Sequence, residues 1–209
     1  MARVHEVKSA AKDYPEEHIK KGEPYYWWAF RFGGKHRSKT PPKPQQLTQS
    51  EFAKRTMAAS ETLGTLSADG IPAAIETLAG VISDLEELKT ENEDKLNNMP
   101  EGLQEGEVGQ LIQERVDTLE NATSELEDAK GELESIEEPE VEEPTDEEVL
   151  EDLADELKDD PDMSPEERDR LVKDRKDEMR DERMEEAQEE RRQEAETAIE
   201  NAQGVDLGG

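Results

Sequence analysis

The chain has no cysteine, so neither disulfide staples nor thiolate metal sites can hold it together. It also has no aromatic residue after Phe52, because all eight aromatics (Tyr14, Tyr25, Tyr26, Trp27, Trp28, Phe30, Phe32, Phe52) precede residue 53. Aromatic side chains bury the largest areas, which confines a conventional small core to the N-terminal part. The remainder must pack as helices along seams. No apolar run approaches the roughly 20 residues of a membrane span. Residues 1–5 lack the apolar stretch of a secretory signal, so a soluble, cytoplasmic protein with no membrane partner is expected. Hydrophobic residues make up 31% of the chain and charged residues 40%, against about 45–50% and 25% in an average globular domain. That leaves little material for a large core.

The charge that is present is divided unevenly. Residues 1–60 hold 12 Lys and Arg against 6 Asp and Glu, whereas residues 61–209 carry a net charge of −37 within a total of −31. Two physically different parts are joined in one chain.

The first part, residues 1–46, reads as a small basic β module. Its run Tyr25 to Phe32 is dense in residues that favour pleated strands. Gly33 and Gly34 suit a tight hairpin turn, with Lys35–Lys39 returning antiparallel. Period two would place Tyr26, Trp28, Phe30 and Phe32 on one all-aromatic face, and Tyr25, Trp27, Ala29 and Arg31 on the other. Residues 4–7 are expected to add a third strand, because two strands alone are marginal. Lys20 to Glu23 reads as a turn. Pro41, Pro42 and Pro44 then mark an extended linker.

Residues 47–137 read as helical. Thr48 or Ser50 caps a helix over about 51–66, and Asp69 to Pro72 breaks and restarts the chain. Ile71, Ile75, Leu78, Ile82 and Leu85 form a heptad seam that Lys89 and Asn92 interrupt. Ile112, Leu119, Leu126 and Leu133 recur every seven residues, with Ala122, Ala129 and Ile136 between them. The connection at about residues 98–109 is short, which predicts an antiparallel helical hairpin, with pairing between chains as the competing use of the seams.

Residues 138–144 read as an acidic, self-repelling linker. Residues 145–203 follow as acidic helices, each begun by a capping-box pattern: Thr145 with Glu148, and Ser164 with Glu167. Val149, Leu150, Leu153 and Leu157 lie along one side of the first. In the second, Leu171, Val172, Met179, Ala187, Ala195 and Ile199 are too sparse for a firm seam, so a solvated helix and a flexible tail at 204–209 are expected. The fold class that follows is mainly α, with a small N-terminal antiparallel β-hairpin module, a long antiparallel helical hairpin and a charged C-terminal helix.

Enzymatic motifs are missing: the sequence holds no phosphate loop, no Gly-x-Ser-x-Gly, no His-Glu-x-x-His and no nucleophilic cysteine. Its 57 acidic residues lack the apolar surroundings that raise a carboxyl pKa. A non-enzymatic binding protein without metal or cofactor is expected. His5, His18 and His36 read as surface residues, and Asp159, Asp160 and Asp162 as loop and capping residues, because the glycine and distal glutamate of a calcium loop are absent. The most informative candidates are Tyr25, Trp27, Arg31, Lys35, Arg37 and Lys39, since aromatic faces stack on bases while flanking cations meet phosphates. The expected partner is a single-stranded nucleic acid or a protein. The alternative is an acidic helical scaffold or assembly protein that self-associates through its heptad helices.

The run from Lys20 to Lys35 (KKGEPYYWWAFRFGGK), with Ser38 to Pro42 and with Asn98 to Gln104, resembles a group of uncharacterised bacteriophage proteins. That resemblance implies a place in the host cytoplasm and, on the alternative reading, in a phage particle, but no established activity. Residues 7–10 and 19–23 are also similar to the poly(ADP-ribose) polymerase type zinc finger. Every cysteine ligand of that finger is missing here, so zinc binding is not implied.

Overall fold

Backbone pairing of Val7 with Tyr25 and of Ala29 with Lys35 defines the N-terminal module in the computed structural model, which describes residues 1–154, 157 and 164–208. Strands β1 (His5–Val7), β2 (Tyr25–Ala29) and β3 (Lys35–Ser38) form an antiparallel sheet in that order. The third strand expected at residues 4–7 is therefore present. The loop between β1 and β2 folds back through a bridge between Tyr14 and Ile19. It then turns at Gly22, whose φ of 92° suits a residue without Cβ, and whose N–H donates to the Ala10 carbonyl at 2.9 Å.

The hairpin turn differs from its expected form. Strand β2 stops at Ala29, five residues (30–34) form the turn, and neither Gly33 nor Gly34 has a positive φ. Phe32, expected on the core face, lies in the turn and is 88% exposed. Cross-strand side-chain pairs explain the choice of register. The observed pairing sets Trp28 against His36, with ring centroids 5.5 Å apart, and lets Lys35 reach Trp27. A two-residue Gly-Gly turn would forfeit both contacts.

Helix α1 (Glu51–Leu63) starts at Ser50, whose hydroxyl accepts the Ala53 N–H at 3.3 Å. It ends three residues before the expected Leu66, where the Gly64 N–H closes on the Ser60 carbonyl. Helices α2 (Ile71–Asn97) and α4 (Glu107–Ser135) make the expected antiparallel hairpin, joined through the single turn α3 (Glu101–Gln104). The Gln104 side-chain amide donates to the carbonyls of Leu96 and Met99 at 2.9 and 2.8 Å and so caps α2.

The seam of α2 shifts from the expected frame. Ile71, Ala74, Leu78, Val81, Leu85, Leu88 and Asn92 are buried, alternating by three and four, and Ile82 is buried beside them. Helix α2 packs on both α1 and α4, which widens its buried stripe beyond one coiled-coil line. Asn92 is thus part of the seam rather than a break in it, and Lys89 only flanks it. Helix α4 buries Ile112, Val116, Leu119, Ala122, Thr123, Leu126, Ala129 and Leu133. Helices α2 and α4 thus bury their seams within one chain.

Helix α6 (Pro165–Gln203) spans 39 residues, and only Ala195, Ala198, Ile199 and Ala202 in its last three turns are buried. They join the main core together with Val205 and Leu207, so the expected flexible tail is packed as far as Leu207. Gln203 bonds the Leu63 carbonyl, and Asn201 reaches Glu132. The sparse apolar set is enough here because alanines let the helix approach closely, while Leu207 fills the core from beyond its end.

Residues 165–191 of α6 leave the bundle past the end of α4, over about 40 Å at 1.5 Å per residue. The segment expected to be a separate acidic linker lies along this stretch. Arg191 pairs with Glu138 at 2.8 Å, Arg183 with Glu148 at 2.8 Å, Lys176 with Asp146 at 2.9 Å and Arg175 with Asp152 at 2.6 Å. From the first pair, Glu138 with Arg191, to the last, Asp152 with Arg175, the partner number falls as the residue number rises, so the two segments run antiparallel. Helix α5 (Asp146–Asp152) is among them, with Val149 and Leu153 buried, whereas Leu150 is exposed. The result is an acidic arm. Both expected capping boxes are formed, at Thr145 with Glu148 and at Ser164 with Glu167. Asp159, Asp160 and Asp162 lie outside the described residues.

Candidate functional site

Strand pairing brings the six candidate side chains of the module together, but largely against one another. Tyr25 is buried beside Ala10 and Ile19 in a small core of its own, and its ring lies 5.6 Å from that of Tyr14. The hydrogen bond between the two tyrosines, aided by burial, raises the pKa of Tyr25. The same bond lowers that of Tyr14, with help from the charges of Arg37 and Lys12. Tyr25 is thus a core residue. Sequence periodicity put it on the open face because the loop carrying Ala10 and Ile19 showed no apolar pattern to predict its return.

Trp27 sits in the middle strand between two neighbours. On the β1 side the His5 imidazole stacks on it at 4.2 Å with the planes 12° apart, and on the β3 side the Lys35 ammonium stands 3.5 Å from the ring centroid. With a flanking strand supplying each contact, both faces of the indole are taken. Nothing around His5 in the sequence marks it for that role. Its place on β1, directly opposite Trp27, is the feature that assigns it one.

The cations are likewise engaged. Arg37 bonds Glu17 at 3.1 Å and lies 4.3 Å from the Tyr14 ring. Lys39 pairs with Glu23 at 3.0 Å; the carboxyl of Glu23 is held below its usual range, first by the Lys20 backbone N–H and then by Lys39. Arg31 reaches only the Phe32 ring, at 5.2 Å. Of the four cations, Arg31 and Lys35 have no acidic partner among the described residues. On the opposite face of the sheet Trp28 is buried, and its indole N–H has no acceptor.

Two shallow cavities lie beside the helices, the first of them lined also by Lys43, Pro44 and Gln45 from the segment that follows the sheet. One of about 510 Å³ separates α1 from the chain end and is lined by Met57, Glu61, Val205 and Leu207. Glu61 is held ionised there by its bonds to Lys43 and Gln45, which suits a structural ion pair rather than a proton shuttle. The other, of about 570 Å³, lies at the base of the arm among Asp69, Glu189 and Arg192. No group of His, Asp or Glu side chains among the described residues is placed to hold a metal ion. No helix among them is long and apolar enough to cross a membrane.

Comparison of the chain with protein-family models, with curated proteins and with solved structures finds no match.

Proposed function

We propose that the chain is a non-enzymatic adaptor for assembly, phage-encoded, with a protein-binding module at one end and an acidic arm for a basic partner at the other. One observation carries this: α6 commits only its last three turns to the core and extends the rest beyond the bundle. A helix of this length costs chain entropy to order and gains little burial here, so its use lies in reach and charge. Residues 139–190, which include both segments of the arm, hold 25 Asp and Glu against 8 Lys and Arg. Such an excess attracts basic surfaces and repels phosphate. The occupied faces of Trp27 and the buried Tyr25 favour protein over single-stranded nucleic acid at the module.

The arm can be tested by excision, because the ion pair between Glu138 and Arg191 brings its two ends together. A chain in which a short Gly/Ser linker replaces residues 139–190 is expected to keep its bundle. Tagged full-length protein should retain basic particle subunits from its natural setting, and the excised form should lose them at equal expression. Equal retention by both forms would remove the arm from the function.

The nucleic-acid reading keeps one observation in its favour, the unpaired cations Arg31 and Lys35. Anisotropy of a labelled single-stranded oligonucleotide against the full chain at low salt decides it. Binding abolished by R31A/K35A would support that reading over protein binding.

A further inference from the structure

The first turns of α1 lie level with the distal part of α2. Arg55 bonds Glu91 at 2.9 Å and Glu87 at 3.1 Å, and Arg115 of α4 covers the Phe52 ring at 4.7 Å. The β module is tied to the same end through the Ala2 N–H, which donates to the Leu47 carbonyl at 2.7 Å. The module turn, whose Gly33 lies beside Gln49 just before α1, and the tip of the α2–α4 hairpin therefore face the same end of the bundle, although Lys43 reaches back along α1 to Glu61.

Each carries an uncovered apolar group of the kind that a folded surface normally hides or uses. In the module turn this is Phe32, 88% exposed. At the hairpin tip it is a group of three: Leu103 and Val108, each 56% exposed, and Leu111, 47% exposed, with Val108 and Leu111 adjacent on the α4 surface at i and i+3. Their surroundings have opposite charge. Between Glu23 and Glu51 the chain has five Lys and Arg and no acid; between Lys95 and Arg115 it has four Glu and no Lys or Arg. Arg31 and Lys35 on one side, and Glu101, Glu105 and Glu107 on the other, have no ion-pair partner among the described residues.

We propose that this end is a self-association surface, on which the Phe32 turn of one copy docks on the Leu103–Val108–Leu111 tip of a second copy and receives the same contact in return. Charge complementarity selects the second copy. Both complementary patches belong to one chain and share one end, so a two-fold axis satisfies all four at once. The axis points both arms outward, away from each other, which keeps the two most acidic segments apart. The contact is small beside a standard interface of roughly 1,600 Å², so the dimer is weak and forms at high protein concentration. It is independent of whatever partner the acidic arm meets, because the purified chain alone displays it.

Sedimentation velocity of the purified full-length protein, from micromolar to near-millimolar concentration in about 0.15 M salt, tests the proposal. The expected result is a reversible shift from monomer to dimer. Phe32→Glu and Leu103→Asp should each weaken the dimer about tenfold or more, as for a central contact residue. Arg31→Glu and Glu105→Lys should each weaken it, and the double variant should recover much of the loss, because each new glutamate then meets a new lysine across the axis. Unchanged helicity by circular dichroism separates these effects from misfolding, to which a substitution in an exposed turn contributes little. A protein that stays monomeric throughout the range, or a dimer indifferent to Phe32→Glu and Leu103→Asp, overturns the proposal.

Discussion

The His5 imidazole lies parallel to the Trp27 indole, 4.2 Å away, and closes the face of the ring that Lys35 leaves open. Removing it should expose that face without emptying a core, since His5 is a half-buried residue of β1 that belongs to neither core. His5→Ala is expected to raise acrylamide quenching of tryptophan fluorescence and to cost the module about 0.5 to 1.5 kcal/mol, the usual worth of such ring pairs. It should also strengthen whatever affinity the module has for single-stranded oligonucleotides, because a free indole face gains a stacking role. Unchanged quenching would mean that another side chain covers the ring in solution.

Asn92 is buried in the α2 seam, yet its side-chain amide donates at 2.6 Å only to the Leu88 carbonyl of its own helix. No bond to α4 depends on it. Asn92→Leu should therefore stabilise the bundle by about 1 to 2 kcal/mol, because apolar area replaces a weakly rewarded polar group. Urea unfolding measures the gain. The same substitution removes the polar marker on the α2 side of the seam, and polar seam residues fix register and chain number. Some loss of uniqueness should accompany the stability, visible as broadened amide resonances or as higher oligomers. A loss of stability instead would point to a cross-helix role for Asn92.

The heptad spacing of Ile112 to Leu133, the break at Asp69 to Pro72, the Ser50 cap and both capping boxes were legible because each is a local signal of a few residues. The features that escaped the sequence are those decided between distant segments. Nothing near Glu138 or Glu148 announces that Arg191 and Arg183, some 53 and 35 residues onward, will neutralise them, so the acidic run looked self-repelling. Leu207 looked like tail because its neighbours are glycines and an aspartate, whereas the core it enters is built by α1, α2 and α4. The candidate site was found in composition but not in geometry. The residue types around Trp27 were evident, and their mutual occupation required the register of three strands.

Gly109 shows how tightly the hairpin tip is built. A Cβ at this position would collide with the backbone of Gln104, including its carbonyl, and a backbone group has no rotamer by which to move aside. Gly109→Ala should lower stability by about 1 to 3 kcal/mol, in the range of overpacking. The displaced Gln104 should also lose its two caps on α2. Thermal unfolding gives the first quantity, and hydrogen exchange at residues 96–104 the second. By contrast Gly102→Ala, where nothing lies within 4 Å of the added group, should leave stability unchanged or slightly raised by its better helix propensity.

Glu148 ties three parts of the arm together, and its titration should report when the arm opens. Its carboxylate accepts the Thr145 N–H at 2.7 Å and the Thr145 hydroxyl at 3.0 Å, and pairs with Arg183 at 2.8 Å. The backbone bond first, and Arg183 next, lower its pKa from an ordinary value near 4.5 to about 2. A carboxyl whose folded pKa is depressed stabilises the fold fully above its unfolded value, and that contribution fades as pH falls through the folded one. The contribution of Glu148 to holding the arm is therefore present above about pH 4.5 and is lost between there and about pH 2. Lys176, facing Asp146 in the same antiparallel set, behaves in the opposite sense: the bond to Asp146 raises its pKa. Its contribution is complete below the ordinary lysine value and fades only as pH rises past the raised one. The arm should accordingly stay closed across the neutral range and open from the acid side. Carboxyl-detected NMR of the full chain should find Glu148 titrating near pH 2, well below the ordinary glutamate value near 4.5. Arg183→Ala should bring it part of the way back, because the Thr145 bonds remain, and Thr145→Val should do the same by removing the hydroxyl alone. A Glu148 midpoint near the ordinary 4.5 would show that the arm is not held in solution by the contacts described, and the two segments would then move independently.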